Sequence, residues 1–263
     1  MAQAGLEGTA KARWTRFAAL GLVLAAIGPL LMFGAAALWG LDIADDAPFF
    51  LITAAIGLVG AFLVARFGTW SKFVGIIAAL LISMALFWTA FGLFTPMSFF
   101  DFMPGVLVIP GAVMAIVGCI RAIRAGKRGD LTAAAEGPER RAMRVVLTVI
   151  TLLAVVSAGF TFVSRSSADE SSADQVVTLK DFEFDSDSYA FEAGSTLLVR
   201  NDDPFMHTFT IEALDIDVAV TPGSEELVDI PDETGTFTVF CQPHTSDPEA
   251  PSADDMAAEV TIQ

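Results

Sequence analysis

The residues best suited to chemistry lie near the C-terminal end of the chain. The segment TFTVFCQPH carries Cys241 and His244, Met256 follows after a further eleven residues, and His207 lies on an earlier segment. The chain has only two histidines and two cysteines, and its other cysteine, Cys119, falls in an apolar run. A thiolate, two imidazoles and a thioether are soft to borderline metal ligands. We therefore expect one metal site built from His207, Cys241, His244 and Met256.

The hydrophobic pattern around these residues predicts that they converge. From Val176 onward the chain consists of short runs with period-two alternation and turn residues between them, which is typical of strands. Alternate side chains of a strand point to opposite faces. The apolar residues in phase with the candidates are Phe209 and Ile211 for His207, Phe237 and Val239 for Cys241, and Val260 and Ile262 for Met256. Three strands thus aim candidate ligands at the buried side, and His244 follows Cys241 in the adjoining loop.

Eight short runs of this kind fill residues 176–263, and no helical stretch interrupts them. Such a pattern predicts a compact antiparallel β-sandwich or barrel. In such a fold, the three strands that carry His207, Cys241 and Met256 are expected to bring these side chains together at one point.

The donor set favours copper. Two histidines and one cysteine with a weak axial methionine form a blue-copper electron-transfer site, whereas structural zinc prefers four strong nitrogen or sulfur ligands. Zinc remains an alternative occupant in vitro. Met206 is the fallback for the sulfur ligand, although its parity is opposite to that of His207. Asn201 and Thr208 are candidates for hydrogen bonds that hold the metal loop, and a plain turn or surface role is the alternative for both.

Two stretches resemble the cupredoxin family, the blue type 1 copper proteins such as plastocyanin, azurin and halocyanin. They are FEAGSTLLVRNDDPFMHTFTI, and GTFTVFCQPH followed by MAAEVTI. The resemblance covers about residues 176–263 and implies a Greek-key sandwich, one mononuclear type 1 copper and one-electron transfer. It assigns the copper ligands to His207, Cys241, His244 and Met256, and it makes His244 the surface exit for electrons.

The sequence departs from the family pattern after the second histidine. Family members usually have only a few residues between that histidine and the methionine, whereas TSDPEAPSADD adds eleven here. Loops tolerate insertion, and the VTI strand downstream keeps Met256 in phase. The glycine often found two residues after the methionine is replaced by Ala258.

The residue inventory argues against an enzyme. A copper reductase or oxidase needs further histidines for a second copper centre, and both histidines of this chain are already assigned. We therefore expect an electron carrier with no catalytic residues of its own.

The N-terminal part of the chain predicts a membrane anchor. Hydrophobic residues make up 54% of the sequence, and a spanning helix needs about 20 consecutive apolar residues. We expect an α-helical transmembrane domain over residues 1–163, followed by a flexible linker over 164–175 and the cupredoxin-like domain over 176–263. The five candidate spans are about 17–40, 49–66, 73–94, 105–123 and 145–163.

Basic residues cluster before the first span and in the loops after the second and fourth, whereas the alternate loops, 41–48 and 95–104, carry only acidic charge. By the positive-inside rule, the basic segments are cytoplasmic. Five crossings then place residues after Val163 outside. We expect a multi-pass protein of the plasma membrane whose C-terminal domain is extracellular or periplasmic.

Charge predicts the kind of partner. Residues 164–263 carry 3 Lys/Arg against 23 Asp/Glu, a balance that repels nucleic acid. A basic cytochrome c or a respiratory complex would suit such a surface, although adaptation to high salt or simple solubility explains the charge equally well. Two other functions remain open: copper capture, storage or delivery, with Met97 and Met103 near the entrance, and a copper-free interaction module.

Overall fold

The computed structural model describes residues 10–41, 46–128, 138–252 and 255–263. The chain separates into a helical N-terminal unit and a C-terminal unit that contains the β-sheets. The outer loop expected at 41–48 lies partly outside the described residues. The five helices are α1 (Ala10–Trp39), α2 (Ala47–Arg66), α3 (Trp70–Ala85), α4 (Phe99–Arg128) and α5 (Pro138–Val163).

The helices agree with a membrane protein in length and composition. Within the described residues, four helices are long and apolar enough to cross a bilayer, and the number rises to five if one bent pair counts as a single span. That pair joins α3 to a 3-10 helix, Phe87–Phe94, at an angle of 58°. The described helices therefore support a membrane-spanning region, while the predicted count of five spans and the orientation stay predictions.

In the helical unit, small residues lie where helices contact one another, and large apolar side chains lie on the outside. A Cβ added to Gly21 of α1 would lie 2.5 Å from the carbonyl oxygen of Gly111 in α4, so the two backbones meet where side chains are absent. Large apolar side chains face outward instead, among them Phe62 and Val155, which are 61% and 66% exposed. Exposed apolar area of this kind is unfavourable in water and favourable in lipid.

One expectation about the second outer loop was wrong. Helix α4 begins at Phe99, so most of the expected loop 95–104 is helical, and the helix continues through Pro104 and Pro110. Prolines are tolerated in membrane helices because neighbouring groups satisfy the freed carbonyls. Met103, expected in a loop, is consequently buried.

The C-terminal unit is a two-sheet sandwich, as the alternating pattern predicted. One sheet has the order β2-β1-β4-β7 and the other β3-β9-β8-β5-β6. The core between them contains Phe191, Phe209 and Ile211, all fully buried, and burying side chains of this size stabilises the fold by about 1.5–3 kcal/mol each. The strands are β1 (Gln175–Lys180), β2 (Glu183–Phe184), β3 (Ser188–Phe191), β4 (Thr196–Asn201), β5 (His207–Ile211), β6 (Ile216–Val220), β7 (Glu225–Asp229), β8 (Gly235–Phe240) and β9 (Ala257–Ile262).

The sheets are not wholly antiparallel, which corrects the expectation from sequence. Strand β1 runs parallel to β4, and β3 runs parallel to β9. Each of these pairs joins strands that are not consecutive, so no tight hairpin constrains their direction. The remaining pairs are antiparallel.

The segment predicted as a flexible linker, 164–175, makes specific contacts with the sandwich. The Glu225 N–H donates to the Ser166 carbonyl at 3.0 Å, and the Ser166 hydroxyl donates to the Glu225 carbonyl at 2.9 Å. The Glu170 carboxylate lies 3.2 Å from the Arg200 guanidinium. These bonds tie part of the segment to β4 and β7, while its flexibility stays a prediction.

Candidate metal centre

Strand pairing brings the candidate ligands to one end of the sandwich. Strands β5 and β8 are antiparallel, with Thr210 opposite Phe240, so the start of β5 lies beside the end of β8. His207 is the first residue of β5, and Cys241 follows the last residue of β8. A 3-10 turn, Gln242–His244, then carries the second histidine back over the same end.

The three nitrogen and sulfur donors face one another. The Cys241 Sγ lies 3.3 Å from His244 Nδ1 and 3.7 Å from His207 Nδ1, and the two Nδ1 atoms are 3.2 Å apart. Each residue offers one ligand atom, and these atoms all lie within 4.8 Å of one another. The structure therefore assembles the three residues that the sequence grouped, and all of them present the atom that a metal would need.

Met256 is held beside this cluster by the backbone. The Cys241 N–H donates to the Met256 carbonyl at 2.9 Å, and the Met256 N–H donates to the His244 carbonyl at 3.1 Å. Its side chain is 2% exposed and belongs to the same apolar cluster as Cys241. The fourth candidate is thus buried next to two of the others, and its role as axial ligand stays a prediction.

The surroundings favour a thiolate at Cys241. Burial by itself would raise the pKa of the thiol, but hydrogen bonds with the His207 and His244 rings lower this pKa to about 6. The Thr208 backbone N–H also points at the sulfur, at 3.3 Å. Because the thiolate is the form that binds metal, this arrangement prepares the sulfur for coordination.

A buried carboxylate, that of Asp203, is hydrogen-bonded to His207. Asp203 Oδ2 lies 2.8 Å from His207 Nε2, and both side chains are fully buried. Burial alone would lower the pKa of His207, but the hydrogen bonds with Asp203 and Cys241 raise this pKa to about 9. Sequence reasoning missed Asp203, because it sits in the polar run NDDP, which is typical of an exposed turn.

The two residues named as supports for the metal loop both make buried hydrogen bonds. The Thr208 hydroxyl accepts from the Gln242 N–H at 2.9 Å, which ties β5 to the turn that carries His244. The Asn201 side-chain amide donates to the carbonyls of Phe205 and Val220, both at 2.8 Å. Neither residue is a plain surface residue, because Asn201 is fully buried and Thr208 is 6% exposed.

Phe182 covers the two imidazoles from the side of the β1–β2 turn. Its ring meets His207 edge-on at 5.6 Å and His244 at 5.0 Å between centroids. Phe182 is half-buried, as is His244, whereas His207 is fully buried. The His207 imidazole is therefore buried inside the domain, whereas the His244 imidazole is partly exposed at its surface.

This donor set fits a copper ion. The set is two imidazoles and one sulfur whose thiolate is favoured and which belongs to the apolar core. It matches the ligand preferences of copper in electron-transfer sites. His207 Nδ1, His244 Nδ1 and Cys241 Sγ are the atoms that would hold it. The site and the sandwich together define the class of the domain, a β-sandwich with a His/Cys/His cluster that could hold a metal ion at one end.

Comparison with known proteins identifies the family of this domain. Residues 151–250 match the family described as the cupredoxin-like domain, so the C-terminal part of the chain is a cupredoxin-like domain. The match ends before Met256. Among curated proteins, no sequence matches the chain.

Solved copper proteins are among the similar structures. Amicyanin from Paracoccus versutus (Thiobacillus versutus) is 17% identical over 36% of this chain and 85% of its own, with a TM-score of 0.28. The reduced Cu(I) form of an amicyanin mutant at pH 4 is 19% identical over 36% of this chain and 85% of its own, with a TM-score of 0.28. The Cu-containing nitrite reductase from Thermus scotoductus SA-01 is 11% identical over 34% of this chain and 22% of its own, with a TM-score of 0.26.

Proposed function

We propose that this protein is a membrane-anchored electron carrier with one mononuclear type 1 copper in its C-terminal domain. The observation that carries the proposal is the convergence of His207 Nδ1, His244 Nδ1 and Cys241 Sγ within 4.8 Å at one end of a cupredoxin-like sandwich. Copper bound there supplies a one-electron couple that needs little rearrangement of its ligands.

The ligand residues of this chain have two different roles in such a carrier. His207 and Cys241 are fully buried, so they hold the site away from water. His244 is only half-buried, so its ring provides the contact through which electrons enter or leave. No proton has to move, and we propose no catalytic step and no catalytic residue.

The anchor and its orientation are part of the proposal. Four apolar helices among the described residues support anchoring in a bilayer, and the distribution of Lys and Arg supports a cytoplasmic N-terminus. With five crossings, the copper domain lies on the outer face of the plasma membrane. A donor or acceptor must then also be available on that side.

The partner we propose is a redox protein with a basic surface, such as a cytochrome c or a respiratory complex. Asp and Glu outnumber Lys and Arg by 23 to 3 in residues 164–263. Opposite charge steers encounter, and salt screens this effect over a distance of about 8–10 Å. Nucleic acid is not a partner we propose.

The test uses the full chain in lipid nanodiscs, loaded with Cu(II) and mixed with a reduced basic cytochrome c. We expect rapid one-electron oxidation of the cytochrome that slows as salt rises, and no reaction with the matched variant Cys241→Ser. No oxidation by the wild-type protein would contradict the proposal. Rapid loss of copper to a chelator, without electron exchange, would instead favour copper delivery.

A further inference from the structure

The strongest unassigned feature is the carboxylate of Asp203, which lies fully buried four residues before His207. An ionised carboxylate is costly to bury unless hydrogen bonds compensate it. Asp203 accepts three: from the Asp181 N–H at 2.9 Å, from the Phe182 N–H at 3.0 Å, and from the His207 ring at 2.8 Å. These bonds keep the pKa of Asp203 below its usual value although burial opposes this.

The bond to His207 decides which ring nitrogen faces the metal site. An imidazole has two nitrogens, and a hydrogen bond to one of them sets the role of the other. Asp203 is hydrogen-bonded to Nε2 of His207. The other ring nitrogen of His207, Nδ1, lies 3.7 Å from Cys241 Sγ and 3.2 Å from His244 Nδ1. A ring turned by 180° would lose the bond to Asp203 and present carbon to the site.

The same carboxylate fixes the turn that covers the site. Asp181 and Phe182 have φ of 59° and 61°, a left-handed conformation that is costly for residues other than glycine. Their N–H groups converge on Asp203, which stabilises this conformation and thereby places the Phe182 ring against both imidazoles. Asp203 is positioned in turn by Asn201, whose side-chain oxygen accepts from the Asp203 N–H at 2.9 Å.

We propose that Asp203 is the positioning residue of the metal centre: it fixes the His207 ring with Nδ1 toward the copper and anchors the Asp181–Phe182 turn over both imidazoles. The role rests on the proposed copper function, but the hydrogen bond itself is a property of the metal-free chain. Carboxylates that orient a metal-binding histidine typically change metal affinity about 10- to 100-fold when they are removed.

The test compares the full-length wild-type chain in nanodiscs with three variants. Asp203→Ala removes both carboxylate oxygens. Asp203→Asn removes the charge but keeps one oxygen, and therefore retains most of the shape should the alanine variant fail to fold. Asp202→Asn is the matched control, because Asp202 is an exposed carboxylate one position away.

The first measurement needs no copper. With only two histidines in the chain, selective ¹⁵N-histidine labelling gives two ring systems to assign by NMR. We expect the proton on His207 Nε2 to be shifted downfield and protected from exchange in the wild type and in Asp202→Asn, and to lose this protection in Asp203→Ala. Equal protection in wild type and Asp203→Ala would overturn the proposal.

The second measurement uses copper. We expect Asp203→Ala to lose copper to a chelator about ten-fold faster or more, and Asp203→Asn to have a higher reduction potential because a negative charge that favours Cu(II) is gone. Unchanged copper loss and potential in both variants would also overturn the proposal. If the wild type shows no type 1 copper spectrum but the Nε2 proton still depends on Asp203, the copper function fails and the orienting bond stands.

Discussion

The backbone N–H of Cys241 donates a hydrogen bond to the carbonyl of Met256 at 2.9 Å, although fourteen residues lie between them. This bond continues the β8–β9 ladder, in which Phe240 pairs with Ala257. The segment between the two residues therefore leaves and rejoins the sheet without shifting it. An insertion of this length is compatible with a metal site because both of its ends are fixed in the ladder.

The position of Met256 predicts that it tunes the site without being required for it. Met256→Leu conserves volume, so we expect copper binding and colour to persist. The reduction potential should rise, because the axial ligand tunes the potential and its loss leaves fewer donors, which Cu(I) tolerates better than Cu(II). Voltammetry of the copper-loaded chain measures this, with Met206→Leu as the control. A shift in the Met206 variant alone would assign the sulfur ligand to Met206.

Asp255 closes the inserted loop, and this closure should be lost only in strong acid. Its carboxylate accepts from the backbone N–H groups of Ser246 and Ser252, both at 2.7 Å, and these bonds lower its pKa to about 2. The pKa of Asp255 is lower in the folded chain than its unfolded value of about 4. Its stabilisation of the loop is therefore complete above about pH 4 and is lost as the pH falls toward 2.

Limited proteolysis of the loop measures this effect. We expect Asp255→Ala to be cut faster than wild type within 246–252 at neutral pH, whereas Glu249→Ala, which removes an exposed carboxylate of the same loop, serves as the control. Wild-type protection, followed with an acid-stable protease, should hold from pH 7 to about 4 and decline below. An unchanged cleavage rate in Asp255→Ala would show that the loop is held by other contacts.

In the metal-free protein, Cys241 and His207 should form a charged pair over a defined pH range. The pKa of Cys241 is lowered to about 6, so its stabilising effect is lost as pH falls through 6. The pKa of His207 is raised to about 9, so its effect is lost as pH rises through 9. We therefore expect the pair to be charged between these two values.

Ultraviolet absorbance of the thiolate tests this prediction. The difference between wild type and Cys241→Ser isolates the one thiol, because Cys119 is present in both. A midpoint near pH 6 is expected, against about 8.5 for an ordinary thiol. A midpoint at the ordinary value would mean that the two imidazoles do not stabilise the thiolate.

The predicted orientation can be tested in intact cells. The two native cysteines are buried, so a cysteine introduced at an exposed position dominates labelling by a membrane-impermeant maleimide. We expect Ser188→Cys, on the sandwich, to be labelled from outside, and Lys127→Cys, at the end of α4, to be labelled only after lysis. The reverse pattern would invert the topology.

Much of the site could be predicted from local pattern. His207 and Cys241 lie in phase with apolar residues of their strands, and a core face built by alternation forces them inward. The grouping with His244 followed from its spacing after Cys241. These inferences needed no knowledge of how the strands pair.

Other features depend on contacts that no local pattern encodes. Asp203 is buried because Asp181, Phe182 and His207 supply donors from elsewhere in the fold, and an acidic residue in a polar run is otherwise expected to be exposed. The parallel pairing of β1 with β4 likewise depends on which strands meet. Met103 was misplaced because the span was predicted to start at 105, whereas the helix already begins at Phe99.

The most direct test of the central claim is the absorption and paramagnetic-resonance spectrum of the full-length chain loaded with one Cu(II). If Cys241, His207 and His244 hold a type 1 copper, the sample is intensely coloured by sulfur-to-copper charge transfer and shows a narrow copper hyperfine splitting. Both signals should vanish in Cys241→Ser. A colourless wild-type sample with an ordinary Cu(II) spectrum would contradict the account.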